Sequence, residues 1–192
     1  MTASTPTELE KMISGKDYNP TDPELSRKRW QAREMLNEWK GIPYQDWTEK
    51  RKLWQRLFGH TSNDLTIELP FLCDYGFNIH LGKKVFINFD CIFLDSAPIH
   101  IGDRVMIAPS VKIFTASHSL NHRQRNSGVE FANPISIGSD VWIGGGAIIN
   151  PGVTIGDRSV IGSGSVVTRH IPADVLAAGN PARVIKTLND SR

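Results

Sequence analysis

Aliphatic side chains recur at every sixth position through the second half of the chain. The longest unbroken series comprises Ile137, Ile143, Ile149, Ile155, Ile161 and Val167. A six-residue step turns an α-helix by about 600°, so successive repeats would face different directions. The frequent glycines also disfavour flat, continuous strands. The pattern instead predicts a solenoid of short strands, in which each aliphatic side chain points inward and the small residue after it allows a corner.

The same period extends upstream with two interruptions. Two shorter series share the spacing, namely Leu81, Ile87 and Phe93, and Ile101, Ile107 and Ile113. The step from Phe93 to Ile101 is eight residues, so two extra residues lie near positions 95–98. Residues 117–134 lack the apolar pattern. We therefore predict a parallel β-helix over residues 65–170 with a protruding loop at 117–134.

The two ends of the chain leave this period. Asp22, Pro23 and Glu24 form a typical helix start, and a second helix is predicted from Asp46, with Glu49 completing a capping box. This predicts an α-helical N-terminal subdomain over residues 5–60. It contains four tryptophans that either pack against the mouth of the solenoid or offer an aromatic shelf to a sugar ring, namely Trp30, Trp39, Trp47 and Trp54. Residues 171–192 begin with Ile171-Pro172 and are predicted to fold back as a C-terminal cap.

Composition narrows the possible partners. The 192 residues include 22 Lys and Arg against 20 Asp and Glu, a net charge of +2, and no segment is basic enough to indicate nucleic acid as a partner. No apolar run approaches the roughly 20 residues that cross a bilayer, and the first residues do not resemble a secretion signal. Cys73 and Cys91 are too few for a disulfide framework. We expect a cytoplasmic protein with no membrane partner.

The loop carries the most reactive candidate side chain. His118 follows soon after Ile113, the last regular position before the loop. An imidazole has an ordinary pKa near 6.5, so it can act as a general base at neutral pH. Sequence alone leaves a solvated loop histidine as the alternative.

Several stretches resemble the maltose and galactoside O-acetyltransferases, a branch of the hexapeptide-repeat acyltransferases. They are Asn88-Phe-Asp-Cys91, Leu94-Asp95, Ile107-Ala-Pro109, Phe114-Thr-Ala-Ser-His118, Gly138-Ser-Asp-Val-Trp-Ile-Gly-Gly145 and Ala178-Gly-Asn-Pro-Ala-Arg-Val-Ile185. The first of these is closer to the maltose enzymes. The resemblance implies a left-handed β-helix, a homotrimer with each active site between two subunits, and acetyl-CoA as co-substrate without a permanently bound cofactor or metal.

The resemblance also assigns roles to individual residues. His118 matches the base that activates a sugar hydroxyl, most simply the 6-hydroxyl of glucose, maltose or a related sugar, for direct attack on acetyl-CoA. Asn88 matches a contact to that hydroxyl. Glu130 matches a carboxylate near the histidine, which either orients the imidazole or is a solvated loop acid. Other sugar contacts fall on Asp74 and Ser96, whose identities depart from the galactoside enzymes, and Asp95 is expected to replace a missing carboxylate. The coenzyme positions are Trp142, Gly145, Ser163, Thr168, Arg169, Arg183 and Lys186.

Three other functions are also compatible with the sequence. One is a hexapeptide acetyltransferase for a non-sugar acceptor such as serine or an antibiotic. Another is a non-catalytic solenoid that serves as an interaction module. The third is a metal enzyme of the kind in which a hexapeptide solenoid holds zinc or iron with three histidines. Its candidate ligands here are His80, His100, His118 and His122.

Overall fold

The computed structural model describes residues 5–188, and these residues form a parallel β-helix with three faces. Face 1 contains β1 (Thr66–Ile67), β4 (Phe86–Ile87), β7 (Met106–Ile107), β12 (Trp142–Ile143), β15 (Val160–Ile161), β17 (Val175–Gly179) and β18 (Ala182–Thr187). Face 2 contains β2 (Phe71–Cys73), β5 (Cys91–Leu94), β8 (Lys112–Phe114), β13 (Ile148–Ile149) and β16 (Val166–Val167). Face 3 contains β3 (Ile79–Leu81), β6 (Ile99–Ile101), β11 (Ile135–Ile137) and β14 (Thr154–Ile155). The expected fold class is thereby confirmed.

Six residues separate an inward position on one face from the equivalent inward position on the next face. Ile137, Ile143 and Ile149 lie on faces 3, 1 and 2, and all three are buried. Parallel pairing then stacks each inward residue on its equivalent one coil away, for example Ile143 on Ile107 and on Ile161. Because such stacked columns remove large apolar surfaces from water, they provide the main favourable free energy of the fold.

The N-terminal helices close one end of the solenoid. They are α1 (Glu8–Ile13), α2 (Pro23–Gly41) and α3 (Trp47–Leu57). Asp22 caps α2 as predicted, and the Asp46 side chain accepts a hydrogen bond from the Glu49 N–H at the start of α3. The first helix, α1, lies before the two predicted helices and carries a capping box between Thr7 and Glu10. No helix among the described residues is long and apolar enough to span a membrane.

The tryptophans of this region serve mainly as packing residues. Trp39 and Trp54 are fully buried and meet edge to face with ring centroids 5.4 Å apart. Trp39 also lies 6.1 Å from the Phe71 ring on the first coil. Trp30 is 65% exposed, and Trp47 packs at the edge of the same core. The packing alternative therefore holds for the two buried rings.

The other end of the solenoid is closed by a β-hairpin. β17 pairs in parallel with β15, and β18 returns antiparallel to it, so the cap extends face 1. The predicted cap also included residues 189–192, which lie outside the described residues. The protruding loop has its own short elements, β9 (Ala116–Ser117), α4 (His122–Asn126) and β10 (Phe131–Ala132), and β9 pairs antiparallel with β10 at its base.

The outward side chains distinguish the three faces. Face 3 is polar, with His80, His100, Ser136 and Thr154 in one row. Faces 1 and 2 are largely apolar. Their outward rows are Thr66, Phe86, Met106, Trp142, Val160 and Leu176 on face 1, and Leu72, Ile92, Lys112, Ile148 and Val166 on face 2. Met106, Trp142 and Leu72 remain about half exposed in the single chain.

Candidate active site

Most of the predicted acceptor-side residues meet at one corner, which we call the 2/3 corner because it joins face 2 to face 3. Asp74 follows β2, Ser96 follows β5, and His118 follows β9 at the start of the loop. Parallel strands in register bring these three coil ends to the same edge of the sheet. Asp74 and His118, which are 44 positions apart in the sequence, therefore lie two coils apart at the same edge.

His118 and Glu130 face each other across the base of the loop. His118 Nε2 lies 3.8 Å from Glu130 Oε1, which is longer than a hydrogen bond but within ion-pair distance if the imidazole is protonated. The His118 side chain is 54% exposed and Glu130 is 24% exposed. The other carboxylate oxygen of Glu130 accepts a hydrogen bond of 2.8 Å from the Tyr18 hydroxyl. Tyr18 therefore binds one carboxylate oxygen of Glu130, and the other oxygen faces the His118 imidazole.

A polar cavity of about 310 Å³ opens beside Glu130. Its lining combines residues of the N-terminal segment and α2 with residues of the 2/3 corner: Pro20, Thr21, Arg29, Arg33, Asp74, Tyr75, Ser96 and Glu130. The Arg29 guanidinium donates to the Tyr75 hydroxyl at 2.6 Å and to the Pro20 carbonyl at 2.7 Å. Arg33 lies 3.9 Å from the Asp74 carboxylate. Two cations and two carboxylates thus line one small cavity.

Asp95 does not face this cavity, contrary to the expected sugar contact. Its side chain is fully buried, and Oδ1 accepts the backbone N–H groups of Asp74 and Tyr75 at 3.0 and 2.8 Å. Burial raises the pKa of Asp95 to about 7, against the opposing effect of the Tyr75 N–H. The Asp95 carboxyl group is closed off from solvent. It fixes the backbone at Asp74 and Tyr75 and thereby determines where the Asp74 side chain lies.

Asn88 is also separated from His118 within one chain. Asn88 follows β4 and lies at the corner between faces 1 and 2, which we call the 1/2 corner. Face 2 separates this corner from the 2/3 corner. Its strand β5 has four residues, a length of roughly 13 Å at about 3.3 Å per residue. The Asn88 side chain accepts a hydrogen bond from the Phe89 N–H. Within one chain Asn88 and His118 therefore lie at different corners, and the contact of Asn88 to the acceptor hydroxyl stays a prediction.

The predicted coenzyme residues fall into two groups. Trp142, Gly145 and Ser163 lie on face 1 and at the 1/2 corner, where the Gly164 N–H bonds the Gly145 carbonyl of the preceding coil. Thr168 and Arg169 instead line a cleft at the 2/3 corner, two coils beyond the loop.

The two basic residues of the cap belong to the first group. Trp142, Val160, Leu176 and Lys186 are successive cross-strand partners, so Lys186 lies three strands from Trp142, or about 14 Å. Arg183 pairs with Ala178 on the same hairpin and is exposed. A single chain thus presents one basic and aromatic strip on face 1.

The thiols and the remaining histidines lie apart from this chemistry. Cys73 and Cys91 are buried, and burial raises the pKa of both, to about 11 for Cys91. His80 and His100 stack on each other on face 3 with centroids 4.7 Å apart. Among residues 5–188, no three His, Cys, Asp or Glu side chains are grouped closely enough to hold a metal ion.

Sequence reasoning missed Tyr18, Arg29 and Arg33. The two arginines are four positions apart and therefore share one face of α2, a spacing that could have been noticed. Tyr18 lies between helices, where no periodicity applies.

Known proteins share this architecture. The maltose acetyltransferase hexapeptide capping motif matches residues 11–62, and the bacterial transferase hexapeptide motif of six repeats matches residues 134–169. The crystal structure of a maltose O-acetyltransferase from Clostridium difficile is similar with a TM-score of 0.95 and 45% identity, over 97% of this chain and 100% of that chain. This chain belongs to the maltose and galactoside O-acetyltransferase family. The left-handed solenoid and the O-acetyltransferase class expected from the sequence are therefore confirmed.

Two further relatives extend the family match. A hexapeptide-repeat acetyltransferase from Vibrio cholerae, solved in complex with acetyl coenzyme A, is 42% identical with a TM-score of 0.89, over 96% of this chain and 100% of that chain. The galactoside O-acetyltransferase of Escherichia coli is 38% identical over 94% of this chain and 89% of that protein. A family match of this extent leaves the non-catalytic solenoid without support.

Proposed function

We propose that this protein transfers the acetyl group of acetyl-CoA to the 6-hydroxyl of a neutral sugar, such as glucose, maltose or a related glucoside, in the cytoplasm. The observation that carries the proposal is the His118–Glu130 pair beside a polar cavity of sugar size. Arg29 and Arg33 balance Asp74 and Glu130, so the cavity has no net formal charge when all four are ionised. Such a lining suits an uncharged acceptor with many hydroxyls better than an ionic one.

The chemistry follows from the position of the imidazole. The unprotonated nitrogen of the His118 imidazole takes the proton from the acceptor hydroxyl, while the Glu130 carboxylate lies 3.8 Å from Nε2. The hydroxyl oxygen then bonds to the acetyl carbonyl carbon, and the tetrahedral intermediate collapses as the carbon–sulfur bond breaks. The imidazolium returns its proton to the departing thiolate. Glu130 stabilises the transient positive charge, as the acid of a catalytic triad does.

No covalent acetyl-enzyme is required by this scheme. Both cysteines are buried and hold their protons more tightly than a free thiol, so neither offers a thiolate at neutral pH. A direct transfer needs both substrates bound together. Initial-rate patterns are therefore expected to indicate a ternary complex.

We propose a homotrimer in which each site combines two half-sites. The half-site of the 2/3 corner contains His118, Glu130 and the acceptor cavity, whereas Asn88 and Trp142 belong to face 1 and the 1/2 corner. Two of the three outer faces are apolar and would be exposed in an isolated chain. Packing face 1 of one chain near the 2/3 corner of its neighbour covers apolar surface and joins the two half-sites. Thr168 and Arg169, on the His118 side, would then meet the coenzyme from the opposite wall.

An acceptor screen tests the proposal directly. Purified protein and acetyl-CoA are incubated with glucose, maltose, galactosides, serine and an aminoglycoside, thiol release is followed, and the product is identified by NMR. We expect turnover with neutral glucosides and acetylation at the 6-position. Turnover with serine or the aminoglycoside alone would establish the non-sugar alternative.

The basic residues of the cap are expected to bind the nucleotide phosphates of the donor. Arg183→Ala should raise the KM for acetyl-CoA with little change in kcat, by about 10- to 100-fold if 1.5–3 kcal/mol of charged hydrogen bonding is lost. An acetylated pantetheine, which lacks the nucleotide, is the control donor. Arg183→Ala and the wild type should use it equally well. Impaired use of the truncated donor would show that Arg183 supports the fold or the reacting centre instead.

A further inference from the structure

The Tyr18 side chain is buried directly behind Glu130. Its ring is 2% exposed and packs in a small apolar cluster with Met12, Leu25 and Tyr75. Its hydroxyl donates to Glu130 Oε2 at 2.8 Å, which leaves Oε1 toward His118. The Tyr18 phenol, the Glu130 carboxylate and the His118 imidazole thus lie in one row. The row begins in the N-terminal segment and ends in the loop.

The backbones of the same two residues are also joined. The Tyr18 N–H donates to the Glu130 carbonyl at 2.9 Å, and the Glu130 N–H donates to the Tyr18 carbonyl at 3.1 Å. The N-terminal segment therefore fixes the position of the loop residue, while the phenol fixes the orientation of its carboxylate. These two functions can be separated experimentally, because only the second requires the hydroxyl.

We propose that Tyr18 is a positioning residue of the acetyl-transfer reaction, which holds the Glu130 carboxylate in the orientation that aligns His118. The proposal rests on the proposed function of the His118–Glu130 pair. Without the phenol, the partly exposed carboxylate is free to rotate toward solvent, and the imidazole loses the anion that stabilises its protonated form in the transition state. Burial raises the pKa of the Tyr18 phenol, so it stays a proton donor at neutral and alkaline pH.

The primary test is Tyr18→Phe, which keeps the buried ring and the backbone pairing and removes one oxygen atom. We expect kcat to fall roughly tenfold, the size of one hydrogen bond to a charged group. The KM for acetyl-CoA and the melting temperature should change little. Wild-type kcat in a folded Tyr18→Phe enzyme would overturn the proposal.

Tyr44→Phe is the matched control. Tyr44 also donates its phenol to a carboxylate, Glu68, at 3.1 Å, but this pair is exposed and outside the cavity. The substitution therefore removes a bond of the same chemistry, and kcat should be unchanged. An equal loss of kcat in both variants would indicate a general effect of losing a phenol and would contradict the specific role of Tyr18.

A double-mutant cycle separates positioning from mere structural support. Glu130→Ala removes the group on which Tyr18 acts, so adding Tyr18→Phe to it should lower kcat by less than about twofold. Full additivity would show that Tyr18 acts through some other contact and would overturn the proposal. If Tyr18→Phe fails to fold, Glu130→Gln is the second variant, because it leaves the phenol in place but removes the charge. It should lose kcat to a similar extent, and full activity would refute the arrangement.

Two measurements distinguish this inference from a failure of the proposed sugar acceptor. If wild type acetylates no sugar, the same cycle is measured on hydrolysis of acetyl-CoA, in which water takes the place of the acceptor hydroxyl. A crystal structure of Tyr18→Phe should also show Glu130 Oε1 displaced by more than about 1 Å from His118 Nε2, relative to the 3.8 Å of the wild type. An unmoved carboxylate would overturn the inference, whatever the acceptor is.

Discussion

The 1/2 corner and the 2/3 corner of the solenoid are built from the same repeat but differ in regularity. At the 1/2 corner every step between inward residues is six, as from Ile87 to Phe93 or from Ile143 to Ile149. At the 2/3 corner the step is eight from Cys73 to Leu81 and eight again from Phe93 to Ile101, and the third coil inserts the loop. The acceptor cavity, His118 and Glu130 all belong to the irregular corner. The proposed acceptor half-site therefore lies where the repeat is broken, whereas the proposed coenzyme half-site lies on regular coils.

Polar side chains make these insertions possible. Extra residues cannot all join the ladder between coils, so their backbone groups need other partners. Asp95 accepts two N–H groups of the coil before it, the Thr115 hydroxyl accepts the Ala97 N–H, and the Asn78 amide donates to the Asp95 carbonyl. The 2/3 corner thus buries a cluster of hydrogen-bonded polar groups, whereas most inward positions of the regular coils are apolar.

The largest expected effect comes from the irregular corner. His118→Ala should lower kcat by about 10²–10⁴-fold, the usual contribution of a general base, because no other described imidazole lies beside Glu130. The melting temperature should hardly change, since His118 is half exposed. Steady-state kinetics with the best acceptor measure this effect. More than half of wild-type turnover in the variant would remove His118 from the mechanism.

The sequence predicted much of this corner and failed at identifiable points. The solenoid was predictable because every coil buries aliphatic side chains at the same spacing. His118, Asp74 and Ser96 were assigned to the site by resemblance. Asp95 was misassigned because sequence does not distinguish a carboxylate facing a cavity from one turned under it. The resemblance predicts an active site between two subunits but does not say which chain supplies Asn88. Tyr18 was missed because its contact spans 112 positions with no repeat to reveal it.

Subunit complementation tests whether the two corners act together only across a subunit interface. Asn88→Ala and His118→Ala trimers should each be weakly active. The two variants are then denatured and refolded as a 1:1 mixture. Some interfaces will combine the intact His118 of one chain with the intact Asn88 of another, and these sites have both wild-type residues. Random assembly gives roughly a quarter of such sites, hence about a quarter of wild-type activity.

The control for this experiment is each variant refolded alone, which should gain nothing. Sites contained within one chain would give no recovery in the mixture, and a monomer mass by light scattering would contradict the trimer itself.

The irregular corner should also make stability depend on pH in a way that the regular coils do not. Burial raises the pKa of Asp95 to about 7 in the folded protein, above its ordinary value of 3.8. The folded state therefore binds the extra proton, and this contribution to stability is present at low pH and lost as pH rises from about 4 to 7. The slope should approach about 1.4 kcal/mol per pH unit within that window.

Asp95→Asn isolates this contribution, because it keeps the side-chain shape and an acceptor oxygen but cannot ionise. Unfolding free energies of both proteins are compared at pH 5 and pH 8. The wild type should lose stability relative to the variant on going to pH 8. Parallel pH dependences would mean that Asp95 ionises normally in the fold.

The smallest effect is expected at a regular corner, and it should concern stability alone. Asp140 lies at the corner between faces 3 and 1, in a left-handed conformation with φ of 60°, and forms a two-hydrogen-bond ion pair with Arg104 of the preceding coil. Exposed ion pairs stabilise little, whereas alanine tolerates a left-handed backbone less well than aspartate or asparagine. Asp140→Asn should therefore melt close to the wild type and Asp140→Ala a few degrees lower. Both should retain wild-type kcat, because this corner touches neither the acceptor cavity nor His118. A fall in kcat at constant melting temperature would show that the corner between faces 3 and 1 takes part in the reaction and does not only stabilise the fold.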